Sequence, residues 1–500
     1  MSREVGTRGR DLAAGAGHPR KAVAICAHPG KRGFGAWKSP ETGSSSPECG
    51  GLLGRRKACI MEFVGQGDVQ GVEMQDTKEI LAEPTSVERT GMNRGFLGDL
   101  ALKTIYSVGE LSGRDIAERL CLPFSGVVEE VLTFLKREQL VSITGSRGFD
   151  ERAFRYSIAS AGVERVREAL ARSQYVGPAP VTLEAYQKVA RTQTIGNVVV
   201  SREEVEGALS HLVISPTMLM KIGPAVNSGR SIFLFGPPGN GKTVIAKAMA
   251  SMLGGEIYIP YAVEVDGHII KVFDNLNHQL VGNGKQTPPM LSEGGRLDRR
   301  WILIERPIVI VGGELTLESL DLVYDDTSKY YEAPFQMKAN GGMFLIDDFG
   351  RQQVRPRDLL NRWIVPLESR VDYLTLHTGK KIEIPFDQLI VFATNIDPKA
   401  LVDEAFLRRI RHKIEVRNPS EREFYDIFRR VVAERGVPFG QEAFMYLMRE
   451  NYLNQKRHLR CVHPRDIVDQ IIDIAHYRGV RPALTKELID QACSAYFVEL

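Results

Sequence analysis

The sequence predicts an α/β fold built on an open parallel sheet, with a small α+β module before it and an all-helical domain after it. Three stretches carry that prediction: Ser231–Ala250, Met343–Asp348 and Leu389–Asn395. In the first, an apolar, β-prone run (Ile232–Phe235) leads into Gly236-Pro237-Pro238-Gly239-Asn240-Gly241-Lys242-Thr243. A helical pattern with apolar Val244, Ile245, Ala248 and Met249 follows. This is G-x-x-x-x-G-K-T with a strand before it and a helix after it, the setting its mechanism requires. The glycines let successive backbone N–H groups curl around a polyphosphate without Cβ clashes, and the helix N-terminus adds partial positive charge. Lys242 is placed to reach the β- and γ-phosphates, and the Thr243 hydroxyl to take a position on Mg²⁺. Residues Gly236 to Val244 are therefore the expected nucleoside-triphosphate-binding set.

In the second stretch, four apolar residues (Met343–Ile346) follow Asn340-Gly341-Gly342 and end in Asp347-Asp348. An uninterrupted apolar run of this length reads as a buried parallel strand. Carboxylates at the C-terminal end of such a strand lie in the ligand crevice of an open α/β sheet. Asp347 is the expected Mg²⁺ ligand, acting through water, and Asp348 the residue that orients or deprotonates the attacking water. An acidic turn after a core strand is the plainer alternative, and the phosphate loop upstream weighs against it. The third stretch is another apolar strand, Leu389–Ala393, ending in Thr394-Asn395. An Asn at that tip is placed to hydrogen-bond the γ-phosphate or the nucleophilic water.

Composition narrows the class. Five hundred residues, 43% hydrophobic and 25% charged, are those of an ordinary globular chain with room for about three domains. A net charge of +3 does not by itself argue for nucleic acid. No apolar run approaches the roughly 18 residues of a membrane span. Six scattered cysteines without a C-x-x-C pair fit free thiols in a reducing cytoplasm, and no second pair joins Cys26 and His28 at zinc-ligand spacing.

Residues 1–60 are rich in Gly, Ser, Pro and Arg, with eleven basic residues against four acidic, so a disordered basic tail is expected, extended by a linker to 92. Arg55-Arg56 is followed by no apolar segment of signal-peptide length, which argues against export. The composition change at Met61 leaves two readings open, a native tail or an upstream extension of a protein starting near Met61. From 93 to 176 the pattern is structured. Leu97, Leu100, Ala101 and Ile105 form the stripe of a first helix, and Ser112 caps a second, Gly113–Leu120. A third begins near Pro123 with Val127, Val131, Phe134 and Leu135 on one face. Two alternating runs, Leu140–Thr144 and Phe154–Ile158, then read as a long-looped hairpin, and a further helix runs from Ala161 to Ser173.

Three helices followed by a hairpin resemble a winged helix-turn-helix domain, in which the third helix would read a groove. Its exposed charges, Glu129, Glu130, Lys136, Arg137 and Glu138, sum to −1, where groove reading needs phosphate-neutralising charge. Docking of a protein partner or substrate is favoured; nucleic acid binding and a purely structural appendage remain open. Gly177-Pro178-Ala179-Pro180 marks a boundary, with 177–206 as linker.

Within the following domain, 207–417, Glu256–Asp274 reads as two strand-like runs, and Trp301–Ile304 with Ile308–Val311 as a pair of short strands. Thr316–Tyr324 reads as helical and Asp325–Lys338 as an aromatic loop. Val371–Leu376 and Lys381–Ile384 flank His377-Thr378-Gly379-Lys380 as a hairpin. Ala405–Ile410 sets Arg408 and Arg409 at a helix end, and residues 418–500 read as a helical domain in which His463-Pro464-Arg465-Asp466 opens a helix.

In this order the motifs resemble those of an AAA+ ATPase over residues 207–500. GPPGNGKT is similar to Walker A, MFLIDD to Walker B, ATN to sensor 1, FLRRI to the arginine-finger segment and HPRD to sensor 2. The hairpin before the sensor-1 strand is similar to the insertion of the pre-sensor-1 branch, which includes Clp-type unfoldases, Lon, and MoxR- and magnesium-chelatase-like proteins. The resemblance implies an α/β P-loop NTPase domain with a C-terminal helical lid. It also implies a homo-oligomeric ring, often of six subunits, with ATP between neighbours. The leading functional expectation is Mg²⁺-dependent ATP hydrolysis that remodels a protein partner; the alternatives are a nucleic-acid-associated ATPase using the winged helix and an ATP-dependent assembly switch with little turnover. Arg409, or alternatively Arg408, would act in the neighbouring subunit's site, and Arg465 would contact the γ-phosphate from its own lid. One position departs from the pattern: Asp348 stands where the superfamily usually has Glu, which implies slow hydrolysis. No aromatic-hydrophobic-glycine pore loop stands out. Tyr258, Tyr261 and Val265-Asp266-Gly267 offer one candidate region, and Tyr330, Tyr331 and Phe335 another, unless those aromatics are core.

Overall fold

The computed structural model describes residues 80–497, apart from 147, 149, 283–295 and 402–403. The expected basic tail, the Arg55-Arg56 pair and the change at Met61 all lie outside the described residues. The Asn93 side chain accepts from the Phe96 amide (2.7 Å) and opens α1 (Arg94–Val108), whose apolar stripe is buried as its spacing predicts. A short strand, β1 (Glu110–Ser112), ends in the Ser112–Asp115 capping box of α2 (Gly113–Leu120). The third helix is shorter than the sequence suggests. Ser125 and Gly126 leave helical geometry, so one π turn (Phe124–Val128) precedes α3 (Glu129–Arg137). Glycine is required there: φ is +79°, and a Cβ at 126 would lie 2.3 Å from the Thr85 carbonyl oxygen. Strands β2 (Val141–Ser146) and β3 (Phe154–Ile158) form the expected hairpin, β1 adds to the other edge of β3, and α4 (Ser160–Arg172) follows.

Two segments expected to be linkers are ordered instead. Within 80–92, Leu81, Val87 and Met92 are buried. Within 177–206, β4 (Val181–Thr182) joins a sheet, α5 (Leu183–Thr192) buries Tyr186 and Val189, and α6 (Arg202–Ala208) begins. The buried Ala179 donates its amide to the Leu120 carbonyl (2.8 Å). The prolines fix the chain's direction there rather than freeing it, because neighbouring apolar surface covers both sides.

After α7 (Pro216–Asn227) come β5 (Ser231–Phe235), α8 (Lys242–Leu253), β6 (Glu256–Pro260), β7 (Ala262–Val265) and β8 (His268–Lys271). Strands β9 (Trp301–Glu305) and β10 (Ile308–Val311) do not pair with each other: β9 lies antiparallel to β6, while β10 enters the central sheet. The predicted helix over Thr316–Tyr324 is one 3₁₀ turn (Glu318–Leu320) running into β11 (Val323–Asp325). The predicted aromatic loop holds β12 (Tyr330–Glu332) and α9 (Phe335–Lys338). There follow β13 (Met343–Ile346), α10 (Pro356–Arg362), α11 (Ile364–Ser369) and the expected hairpin of β14 (Val371–Thr375) and β15 (Lys381–Pro385). Then come β16 (Leu389–Thr394), α12 (Pro398–Leu401), α13 (Glu404–Leu407) and β17 (His412–Glu415).

The central sheet is five-stranded, in the order β10-β13-β16-β5-β17, and every pairing in it is parallel. Strands β13 and β16 are buried along their whole length, which explains their unbroken apolar runs. The helices α6, α7 and α8 cover one face, and α10 with Trp363 covers the other. A second sheet, β11-β12-β8-β7-β4, packs against the N-terminal module through Ala262, Ile269 and Tyr330. Beneath it the buried Arg300 pairs with Asp298 (2.8 Å) and donates to the Thr90 and Pro180 carbonyls (2.7 and 3.1 Å). The chain ends in α14 (Glu421–Glu434), α15 (Gln441–Leu447), α16 (His463–Tyr477) and α17 (Lys486–Tyr496), packed around Phe424, Phe428, Leu447 and Ile471.

Candidate functional site

The glycine-rich loop leaves the C-terminal end of β5 and closes on α8. Gly236 has φ +142°, and a Cβ there would lie 2.2 Å from the Val416 carbonyl oxygen. Gly239 and Gly241 both adopt φ +80°, and Gly241 is the N-cap of α8. The loop is also stitched to the start of α16: the Gly239 carbonyl accepts from the Val462 amide (2.9 Å). The Asn240 side chain donates to Asn418 Oδ1 (2.8 Å) and accepts from the Cys461 amide (3.2 Å).

Strand order then assembles the rest. Because β16 lies between β5 and β13, Asn395 at its tip stands between the lysine of the loop and the paired acids. Lys242 is 7% exposed. Its Nζ donates to the Gly236 and Pro237 carbonyls (3.0 Å each) and to Asn395 Oδ1 (2.5 Å). Burial pulls the Lys242 ammonium below its usual pKa, and the charges of Asp348 and Asp347 oppose that pull. Asn395 Nδ2 donates to Asp348 Oδ1 (3.0 Å), so one carboxamide bridges the lysine and the second acid. Thr243 Oγ1 donates to Asp347 Oδ2 (2.8 Å). Asp348 is exposed and sits in the left-handed region at φ +49°. Across that turn the Gln352 carboxamide donates to the Asp347 carbonyl and accepts from the Gly350 amide, both at 2.8 Å.

These groups open on a cavity of about 460 Å³ lined by Pro238–Ile245, Asp347, Asp348, Asn395 and Arg465. Its apolar lining comes from Leu212, Val213 and Ile214 and from Ile427 and Val431 of α14, beside the polar His211, Arg430 and Glu434. Arg430 holds that lining together by donating to the Ser210 and Leu212 carbonyls (2.9 and 3.3 Å). Arg465 reaches the cavity while its guanidinium pairs with Asp466 (3.0 Å). Gly236 and Pro237 do not line the cavity and serve it through Lys242. Arg408 and Arg409 lie away from it: Arg408 pairs with Glu404 one turn back (2.9 Å), and Arg409 with Glu368 (2.6 Å).

Sequence reasoning missed Leu212–Ile214, Ile427, Val431, Asn418 and Gln352. The apolar wall joins residues some two hundred positions apart, and no local spacing marks them. Gln352 did carry a readable signal, a side-chain amide a few residues after the paired acids. Of the second pore-loop candidate, Tyr331 is a core residue, and Tyr330 and Phe335 are partly buried against the core. Tyr331 is fully buried, Tyr330 packs edge-on against Tyr175 (5.7 Å), and Phe335 packs against Phe344 (6.4 Å).

The donor set suits a hard divalent cation. Among the described residues no group of three or more His, Cys, Asp or Glu could hold a metal by itself. A hydroxyl and a carboxylate 2.8 Å apart match Mg²⁺, which takes one or two protein oxygens and completes its shell with phosphate and water. No helix among the described residues is long and apolar enough to cross a membrane.

Strand order, loop and acid pair define the central domain as an α/β P-loop fold. Residues 420–495, the helical domain alone, match the family described as "Domain of unknown function (DUF8689)". No curated protein matches. Among solved structures, NtrX from Brucella abortus in complex with ADP is 14% identical with a TM-score of 0.34 over 66% of this chain. The chain spans 65% of that NtrX chain. The Holliday junction branch migration motor RuvB from Thermotoga maritima is 14% identical with a TM-score of 0.30, over 60% of this chain and 71% of that one.

Proposed function

We propose that the protein binds and hydrolyses ATP with Mg²⁺, as an AAA+ oligomer that remodels a protein partner. One observation carries the reading: Lys242, Asn395, Asp348, Asp347 and Thr243 form a single hydrogen-bonded chain lining one cavity, joined in its middle by the Asp348 amide donating to Asp347 Oδ1 (3.0 Å). The apolar wall of Leu212–Ile214 and Ile427–Val431 suits a flat purine base, with the phosphates lying along the loop. Lys242 then exchanges Asn395 for phosphate oxygens, and the freed Asn395 orients the γ-phosphate or the attacking water. Asp348 takes the water's proton or aligns it for in-line attack. Thr243 and Asp347 would hold Mg²⁺, which neutralises charge on the β- and γ-phosphates.

Arg465, which lines the cavity, would contact the γ-phosphate and carry its loss into the helical domain as a lid movement. The positions of Arg408 and Arg409 outside their own cavity suit action on a neighbouring subunit's phosphate, with Arg409 favoured. The charge pattern of α3 supports a protein partner on the N-terminal module. Glu129 and Glu130 occupy its first turn, and Glu130 engages Arg94 (2.6 Å), leaving no excess of cations for phosphates.

The test is turnover of ATP with and without Mg²⁺ by the full chain and two variants. Lys242→Ala should lose nucleotide binding. Asp348→Asn should bind ATP with near-normal affinity and lose at least about 100-fold in kcat. Absence of ATP binding by the wild type, or unchanged turnover in both variants, overturns the reading.

A further inference from the structure

We infer that Gln352 is a positioning residue for hydrolysis, its carboxamide clamping the turn that aims the Asp348 carboxylate; this rests on the ATPase reading above. Asp348 is a non-glycine residue at φ +49°, a strained conformation that persists only where neighbours hold it. Its side chain is exposed and, among the described residues, makes one side-chain hydrogen bond, to Asn395 at 3.0 Å. The direction of the carboxylate is therefore set by the backbone beneath it.

That backbone is anchored on both sides. Phe349, 1% exposed, donates its amide to the Ala393 carbonyl (2.7 Å), and its own carbonyl accepts from Thr394 Oγ1 (2.6 Å). These bonds tie the far side of the turn to β16. Gln352 ties the ends of the turn to each other, Nε2 to the Asp347 carbonyl and Oε1 to the Gly350 amide, each at 2.8 Å. It spans Asp348 and Phe349 with one planar group and does not line the cavity, so it acts through Asp348 and not on substrate.

The chemistry demands an amide. The Asp347 carbonyl needs a donor and the Gly350 amide needs an acceptor, on one side chain of that reach. Glutamate at 352 keeps the acceptor, loses the donor and brings a third negative charge beside Asp347 and Asp348. Methionine has nearly the same length and offers neither. With either substitution the turn is free to relax, and displacement of a catalytic group by about 1 Å costs up to ~10²-fold in rate.

The experiment compares wild type, Gln352→Met and Gln352→Glu as full chains, measuring kcat for Mg·ATP, ADP affinity and Tm. Both variants should lose roughly 10- to 100-fold in kcat with ADP affinity within about twofold of wild type. Gln352→Met should also be nearly silent in single-turnover hydrolysis when added to Asp348→Asn, because a residue that works through Asp348 has nothing left to position. Unchanged kcat in both variants, or an equal loss in the Asp348→Asn background, overturns the inference while leaving the ATPase reading intact. A fall in ADP affinity matching the fall in kcat also overturns it, since that marks general damage to the site. A wild type without turnover removes both.

Discussion

The Thr243 hydroxyl donates to the Asp347 carboxylate across 2.8 Å, joining residues 104 positions apart in the chain. Neither side chain could be placed by its own element alone. The contact arises because β5 and β13 flank β16 in one parallel sheet and release their following residues at the same edge. It brings a phosphate loop and a carboxylate pair to the distance at which one hydrated cation can serve both.

Asp348 is one methylene shorter than glutamate, and its carboxylate accepts from the Asn395 side chain. Asp348→Glu is expected to raise steady-state ATP turnover by about 10-fold or more, by carrying the carboxylate roughly 1 Å further into the cavity. Equal rates for the two proteins would show that side-chain length does not limit the reaction.

Gly236→Ala should damage the fold as well as the site. The new methyl would lie 2.2 Å from the Val416 carbonyl oxygen, at a φ of +142° that side chains rarely adopt. A loss of about 1–3 kcal/mol is expected from the overlap, read as a lower urea midpoint. A midpoint within error of wild type would mean that β17 yields without cost.

The Asp298–Arg300 pair is buried at 1% and 5% exposure, so its removal should be severe. Asp298→Ala leaves the guanidinium without its countercharge, at a cost of about 3–5 kcal/mol. Since Arg300 also holds the Thr90 and Pro180 carbonyls, the variant should show early proteolytic cleavage near 80–92 and 177–182. Wild-type midpoint and cleavage pattern would refute the hub role.

His463 opens α16 at 6% exposure, with its Nδ1 3.1 Å from the Tyr452 hydroxyl. Burial first, and then Arg460 and Arg457, push its pKa down to about 4, against the opposing pull of Asp466. The folded protein thus keeps the ring neutral where the unfolded chain binds a proton. Stability should be full above pH 6.5 and fall progressively towards pH 4, by up to about 3 kcal/mol. Thermal unfolding between pH 7 and 4.5 should show the fall in wild type and a shallower one in His463→Phe. Parallel curves would assign the acid sensitivity elsewhere.

Legibility in the sequence followed the range of the forces involved. The phosphate loop, the buried strands β13 and β16, the Ser112 cap and the hairpin of β14 and β15 are local patterns, and each lies where its periodicity or turn residues put it. Expectations failed where partners are distant. Trp301–Glu305 and Ile308–Val311 are both good strands, yet each pairs elsewhere, because Pro307 and the competing surfaces of β6 and β13 separate them. Thr316–Tyr324 lost its helix to edge pairing of Val323 with Glu332. The 177–206 stretch reads as a linker by its prolines, but is ordered by apolar surface supplied from the second sheet for Val181, Tyr186 and Val189 and from the central sheet for Ile195, Val200 and Val205.

By itself the sequence determined the chemistry available: a lysine-bearing glycine turn, two acids and an asparagine, each ending or following a buried strand. Only the tertiary structure decided that these groups meet in one cavity and that Leu212–Ile214, Ile427 and Val431 line it together. It also decided that Gln352 grips the turn beneath Asp348. The reason is physical. Strand and turn propensities are written in neighbouring residues, whereas strand order and wall-to-wall packing are settled by the burial of surfaces contributed from across the whole chain.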